Sequence, residues 1–233
     1  MKLSIIIPIY NEKHTLPELL ERVEKVSIEG ISEKEIVLVD DFSIDGTKNI
    51  LNSLNKSHYK IIFHEKNQGK GAAVRTGFKE ASGDIFIIQD ADLEYDPADY
   101  KKLIEPILSG ETDVVYGSRF LEDGLRRNKV VYRHGYWYSR MLNWISNILS
   151  GLKLSDTYTC YKVFSRKAIN RIFPLLKSKK FGIDPELTAL TAKFKFRILE
   201  VSISYQGRTY QEGKKINWKD GLAAVWHIIK YNL

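Results

Sequence analysis

At 233 residues with 43% hydrophobic content, the chain is long enough for one substantial core, or a core with an appended subdomain, and too apolar for a disordered protein. A single cysteine, Cys160, excludes an internal disulfide framework and fits a reducing compartment. The net charge of +7 is unevenly spread: residues 1–117 hold 14 Lys and Arg against 21 Asp and Glu, and residues 118–233 hold 22 against 8. The first half suits a cation and the second an anion.

In chain order, residues 3–9 form a β-branched run that ends in Pro8-Ile9-Tyr10-Asn11-Glu12, and Leu16, Leu19, Leu20 and Val23 then recur at helical spacing. The run is short and interrupted by Pro8, so it reads as a first strand rather than a signal peptide. Ile36-Val37-Leu38-Val39 repeats the plan, with Asp40-Asp41 at its carboxyl end and a helix through Leu54. A third strand at 61–63 leads through Asn67-Gln68-Gly69-Lys70-Gly71 into a helix ending at Ala81. That glycine-rich start invites comparison with a dinucleotide fingerprint, but Val74 stands at the third glycine position and the unit is third along the chain. Its remaining use is as a helix start able to receive a diphosphate.

The fourth strand, Ile85-Phe86-Ile87-Ile88, changes abruptly into an acidic cluster with Asp90, Asp92 and Glu94 at alternating positions. Three carboxylates so close repel one another unless protons or a cation neutralise them, and hard oxygen ligands suit Mg²⁺ or Mn²⁺. Asp96-Pro97 starts a helix and residues 113–116 a fifth strand. Strand and helix alternate to this point, which predicts an α/β, doubly wound, mostly parallel sheet whose carboxyl ends line the ligand crevice.

Beyond Gly117 the alternation stops. A polar loop carries Arg126, Arg127 and Lys129 and reads as a mobile segment. A helix over 133–150 puts Trp137, Met141, Trp144, Ile145 and Ile148 on one face, and 155–164 is strand-like. Asp184 is placed as N-cap and Pro185 as first residue of a further helix. A strand over 196–204 and a loop with Arg208, Lys214 and Lys215 precede a last helix with Trp218, Leu222, Val225, Trp226 and Ile229 on one stripe. Both stripes read as core before membrane anchors, although tryptophan beside so basic a half points toward a membrane surface. No apolar run reaches the roughly 20 residues that span a bilayer.

Ser4-Ile5-Ile6-Ile7-Pro8-Ile9-Tyr10-Asn11-Glu12, Val39-Asp40-Asp41, Asn67-Gln68-Gly69-Lys70-Gly71, Asp90-Ala91-Asp92 and Gly117-Ser118-Arg119, in this order, resemble the family 2 glycosyltransferases of GT-A fold. Arg133, Asp156-Thr157-Tyr158 and Gly207-Arg208 through Lys214-Lys215 are similar to the polyprenol-phosphate branch typified by dolichol-phosphate mannose synthase. The resemblance implies one domain over 1–233, with a nucleotide-sugar half (1–117) and a C-terminal acceptor-binding subdomain (118–233). It assigns the nucleotide to Pro8, Tyr10, Glu12, Val39, Asp41, Lys70, Asp90 and Ala91, with Asp41 accepting from the base. It assigns Mg²⁺ or Mn²⁺ to Asp90, Asp92 and Glu94, where position 94 is commonly Gln in the mannose synthases. Cys160 stands where many relatives have Gly.

The implied reaction moves a hexose from a UDP- or GDP-sugar to polyprenyl phosphate at the cytoplasmic membrane face, with inversion at C1. The metal-binding Asp92 serves the leaving diphosphate. A lipid phosphate is already an anion and needs no base, only positive groups to hold it in line, for which Arg119, Arg133, Arg208 and Lys214 are candidates. A saccharide hydroxyl would need a general base, with Asp184 or Asp156 available. No reading motif supports a nucleic-acid partner.

Overall fold

The computed structural model describes residues 1–121, 133–208 and 218–233, with side chains given outside 133–136 and 218–222. The polar loop around 124–129, with Arg126, Arg127 and Lys129, lies outside the described residues, as do Lys214 and Lys215. The elements run β1 (Lys2–Ile9), α1 (Leu16–Lys25), β2 (Glu33–Asp40), α2 (Thr47–Ser53), β3 (Tyr59–Phe63), α3 (Lys70–Glu80), β4 (Ile85–Ile88), α4 (Tyr100–Leu108), β5 (Val114–Ser118), α5 (Arg133–Ser150), β6 (Lys162–Ser165), α6 (Arg166–Ile172), α7 (Ile183–Lys193), β7 (Ile198–Ser202) and α8 (Trp218–Asn232).

The strands form one sheet of seven in the order β3-β2-β1-β4-β6-β5-β7, and β6 alone runs antiparallel to its neighbours. β1 and β4 read as continuous apolar runs because helices cover both faces, and Leu3, Ile5, Ile6, Ile7, Ile85, Phe86 and Ile87 have no exposed surface. The strand order reverses between β1 and β4, so the crevice opens at their carboxyl ends, where the sequence places Pro8, Tyr10, Asp40-Asp41 and the acidic cluster.

Several expectations for the second half change. The strand expected over 155–164 shrinks to β6, and α6, capped by the Ser165 hydroxyl accepting from the Ala168 amide at 3.2 Å, comes directly after it. α7 starts two residues earlier than expected, with Gly182 as N-cap, so Asp184 and Pro185 lie inside its first turn. That frees Asp184 for an ion pair.

The tryptophan stripe of α5 faces outward instead of into the core: Trp137 is 69% exposed, Trp144 65% and Ile148 58%. α5 instead buries Leu142, Asn143 and Ser146, where the Asn143 amide donates to the Leu154 carbonyl and its Oδ1 accepts from the Thr157 amide. On α8, which packs on α5, Trp226 is 61% exposed while Ile228 is buried. Trp218 and Leu222 of the expected α8 stripe fall outside the described side chains. Among the described residues no helix is long and apolar enough to cross a membrane.

Candidate active site

β4 ends at Ile88, and Gln89 anchors the turn beyond it. Its buried Oε1 accepts from the Tyr100 and Tyr161 hydroxyls at 2.7 Å each, and its amide donates to the Asp90 carbonyl at 2.9 Å. Asp90 then meets the Lys70 ammonium at 2.7 Å. Burial works against the charge on Lys70, but Asp90, with Cys160 and Asp184 behind it, outweighs that and holds Lys70 well above the ordinary lysine range.

The alternation that would put Asp90, Asp92 and Glu94 on one face does not persist beyond the strand. Leu93 takes a left-handed turn at φ 61° and the Glu94 amide donates back to Asp92 Oδ1 at 3.1 Å. Glu94 is thereby aimed at the segment after β7: its Oε2 accepts from the Tyr205 hydroxyl at 3.0 Å, its Oε1 from the Arg208 amide at 2.9 Å, and its carbonyl from the Gln206 amide at 2.9 Å. Asp92 faces the Arg208 guanidinium at 3.1 Å, and Glu12 faces it at 3.4 Å. Among the described residues no three carboxylate, imidazole or thiol groups converge to hold an ion, so the triad Asp90, Asp92 and Glu94 is not assembled in this conformation.

The donor set still fits a divalent cation. Among the described residues, four carboxylates, Glu12, Asp90, Asp92 and Glu94, gather around the two cations Lys70 and Arg208, so hard oxygen ligands of the kind a divalent cation takes are grouped at the crevice. Burial, then the charges of Asp90 and Glu94, push the Asp92 carboxyl up to about 7 against the pull of Arg208. A carboxylate held in that condition is stabilised by whatever cation reaches it.

The nucleotide end assigned by the resemblance is built around Asp41. Asp41 is buried and its carboxylate is fully engaged: His64 Nδ1 lies at 2.7 Å, and the Gln68 and Gly69 amides donate at 2.9 and 2.6 Å. His64 in turn meets the Thr76 hydroxyl at 2.9 Å, so Asp41 shapes the Asn67–Gly69 turn. Val39 and Ala91 are buried, whereas Pro8 and Tyr10 are part-exposed at the crevice.

At the start of α3 the backbone amides are engaged within the protein. The Gly71 and Ala72 amides donate to the Lys180 and Lys179 carbonyls at 3.2 and 2.9 Å. The glycines serve close approach, since a Cβ on Gly71 would lie 2.7 Å from the Lys180 carbonyl oxygen and one on Gly69 2.6 Å from that of Lys179.

Two further candidates are locked in buried ion pairs. Arg119 forks onto Asp156 at 2.7 and 2.9 Å, adds its own amide at 3.1 Å, and lies over the Phe120 and Tyr205 rings. The wholly buried Lys162 meets Asp184 at 2.7 Å, donates to the Thr159 carbonyl and sits over the Tyr116 ring. Arg133 opens α5, its side chain outside the described residues. Gln89, His64 and Lys162 had no motif to mark them, although a lone polar residue at the end of an apolar run is a usable signal for Gln89 and Lys162.

The family model for glycosyl transferase family 2 matches residues 4–173. The chain belongs to that family. It is 43% identical over 134 residues to the dolichol-phosphate mannosyltransferase of Pyrococcus furiosus, an alignment covering 57% of this chain and 37% of the relative. It is 30% identical over 220 residues to the undecaprenyl-phosphate 4-deoxy-4-formamido-L-arabinose transferase of Proteus mirabilis, covering 91% of this chain and 62% of that one. The chain thus spans less than two thirds of these relatives' length. The glucosyl-3-phosphoglycerate synthase of Mycobacterium tuberculosis, crystallised with Mn²⁺, uridine diphosphate and phosphoglyceric acid, superposes with a TM-score of 0.72 at 18% identity, covering 99% of this chain and 76% of that one. The fold is that of the GT-A glycosyltransferases, as the resemblance implied.

Proposed function

We propose that this family 2 chain is a metal-dependent inverting transferase that moves a hexose from a UDP- or GDP-sugar to polyprenyl phosphate at the cytoplasmic membrane face. The observation that carries the reading is the state of the two aspartates a hydroxyl acceptor would need as base. Asp156 is neutralised by Arg119 and Asp184 by Lys162, both inside the fold. A carboxylate already paired to a buried cation is a poor proton acceptor, whereas a phosphate acceptor needs none. The two named relatives that act on dolichol phosphate and undecaprenyl phosphate support the same acceptor class.

In this reading Asp90 and Asp92 hold Mg²⁺ or Mn²⁺, which when bound stabilises charge on the departing diphosphate. Pro8 and Tyr10 flank the nucleoside, while Gln89 and the Asp41–His64 pair fix the loops around it. Lys70 holds and aims the Asp90 carboxylate. Arg208 reaches the carboxylates from the second half and, with Arg133 and Lys214, holds the acceptor phosphate in line with C1. Trp137, Trp144 and Trp226 form an outward apolar surface on the basic half, which suits peripheral contact with an anionic membrane that presents the lipid.

The test is nucleotide release from a panel of UDP- and GDP-sugars with Mn²⁺ or Mg²⁺, with and without a short polyprenyl phosphate. Release from one donor that rises sharply with the lipid phosphate is expected. Release stimulated by a saccharide and indifferent to the lipid phosphate would overturn the acceptor assignment.

A further inference from the structure

The molecule places two arginines against carboxylates in very different ways. Arg119 is held as a strong pair should be, with two parallel bonds at 2.7 and 2.9 Å to one partner, Asp156. Arg208 touches three carboxylates and satisfies none of them well. It lies at 3.4 Å from each Glu12 oxygen, 3.1 Å from Asp92, and with its Nε 3.9 Å from Glu94; that Nε is buried without a hydrogen-bond partner. Its guanidinium forks onto Glu12 only at long range and is shared with Asp92, where that of Arg119 closes tightly on one partner.

The backbone under Arg208 is held more tightly than the side chain. Glu94 accepts from the Arg208 amide and the Tyr205 hydroxyl, Tyr95 and Tyr205 form an antiparallel bridge, and the Ser204 amide donates to Asp99 Oδ2 at 2.6 Å. The strap from Ser204 to Arg208 is clamped over the crevice by Glu94 and Asp99 while its terminal guanidinium rests between Glu12 and Asp92. One of these, Asp92, is a residue the functional reading gives to the cation.

We propose that Arg208 is an exchangeable occupant of the cation position: its guanidinium and a divalent cation exclude one another at Glu12 and Asp92, and Arg208 leaves that position only when the cation is bound. This rests on the reading of Asp90 and Asp92 as the cation's ligands. Glu94 is then a positioning residue that keeps the strap in place while the side chain swings, which accounts for a glutamate with both oxygens on the strap. The exchange also orders the reaction, because Arg208 is released toward an acceptor phosphate only once the donor's cation has arrived. An acceptor phosphate would find no free Arg208 in a cation-free enzyme.

The protein then binds cations with an affinity reduced by the fraction of molecules in which Arg208 has already left. Removing the guanidinium should tighten binding of Mn²⁺ alone, opposite in sign to what loss of a merely supporting residue would do. Titration of the full chain with Mn²⁺, read by the electron paramagnetic resonance of free Mn²⁺ without nucleotide or lipid, is expected to show Arg208→Gln binding about tenfold tighter than the wild type. Asp92→Asn should bind weakly.

A second measurement needs no variant. Trypsin cleavage after Arg208, located by mass spectrometry, should run several-fold faster with Mn²⁺ than with chelator, because the freed side chain becomes accessible. Equal or weaker Mn²⁺ binding by Arg208→Gln, or cleavage that Mn²⁺ leaves unchanged or slows, overturns the exchange alone. Mn²⁺ binding that Asp92→Asn leaves intact, or none by any form, overturns the cation reading and the exchange with it.

Discussion

Replacing Asp92 with asparagine should stabilise the metal-free protein while removing its response to metal. The Asp92 carboxyl titrates near 7 against an ordinary value of 3.8. A difference of about three pKa units corresponds to about 4 kcal/mol that the ionised form costs the folded state. The side chain is 18% exposed, so solvent screening brings the net gain from Asn to about 2–4 kcal/mol. For a chain of this length that is roughly 5–10 °C in melting temperature.

The sign of the pH dependence comes from linkage. A carboxyl whose folded pKa lies above its unfolded one costs nothing while both states are protonated. It costs progressively more as pH rises from about 4 to 7, and a constant amount above that. In chelator, Asp92→Asn should therefore exceed the wild type by the full margin at pH 8 and by well under half of it at pH 5. Mn²⁺ should raise the wild-type melting temperature at pH 8 and leave the variant's unchanged. Calorimetry at the two pH values decides it, and a variant no more stable than the wild type at pH 8, or a margin independent of pH, would refute the charge accounting.

Lys162→Met should cost about 3–5 kcal/mol in a urea melt by stranding Asp184 in its buried site, and Lys162→Met with Asp184→Leu should recover most of the loss. Gly71→Ala should cost about 1–3 kcal/mol, because the new Cβ meets the Ser178 and Lys180 carbonyl oxygens at 2.8 and 2.7 Å and the crossing segment must move. Trp144→Glu should weaken sedimentation with anionic vesicles at least about tenfold, since it removes an apolar ring and adds a repelled charge. Its melting temperature should stay within a degree or so, because the side chain is exposed. A vesicle partition equal to the wild type's would remove that face from the membrane reading.

The first half of the fold is legible because each strand announces itself twice, once by a β-branched run and again by the acidic or glycine-containing turn that ends it. β1, β2 and β4 fall where those runs lie, and the crevice falls where the turns lie. What fails is the extension of a strand's period past its last residue. Alternation at 90, 92 and 94 predicts a shared face only while the backbone stays extended, and Leu93 breaks it by a left-handed turn that no apolar count marks. The outward stripe of α5 fails for a related reason: periodicity reports that Trp137, Met141, Trp144 and Ile148 share a face but not which side the core lies on. Asn143, polar in sequence, takes the core side because the Leu154 carbonyl and the Thr157 amide offer partners there, and Ser146 is buried on the same helix.

The excess of acid in the first half and of base in the second points each half to a ligand of opposite charge; the structure also brings the halves themselves together through opposite charges, at Arg208 against Glu12 and Asp92. Which arginine makes that contact could not be read from spacing, since Arg119 and Arg208 are equally isolated basic residues in sequence. The distinction arises from packing partners, since the two side chains are about equally exposed at 14% and 16%: Arg119 lies over the Phe120 and Tyr205 rings and closes on Asp156, while Arg208 lies among the crevice carboxylates, where the proposed cation would replace it. A buried pair that cannot be broken serves the fold. One that is loosely made, at the site where charge must change during a reaction, is free to serve the chemistry.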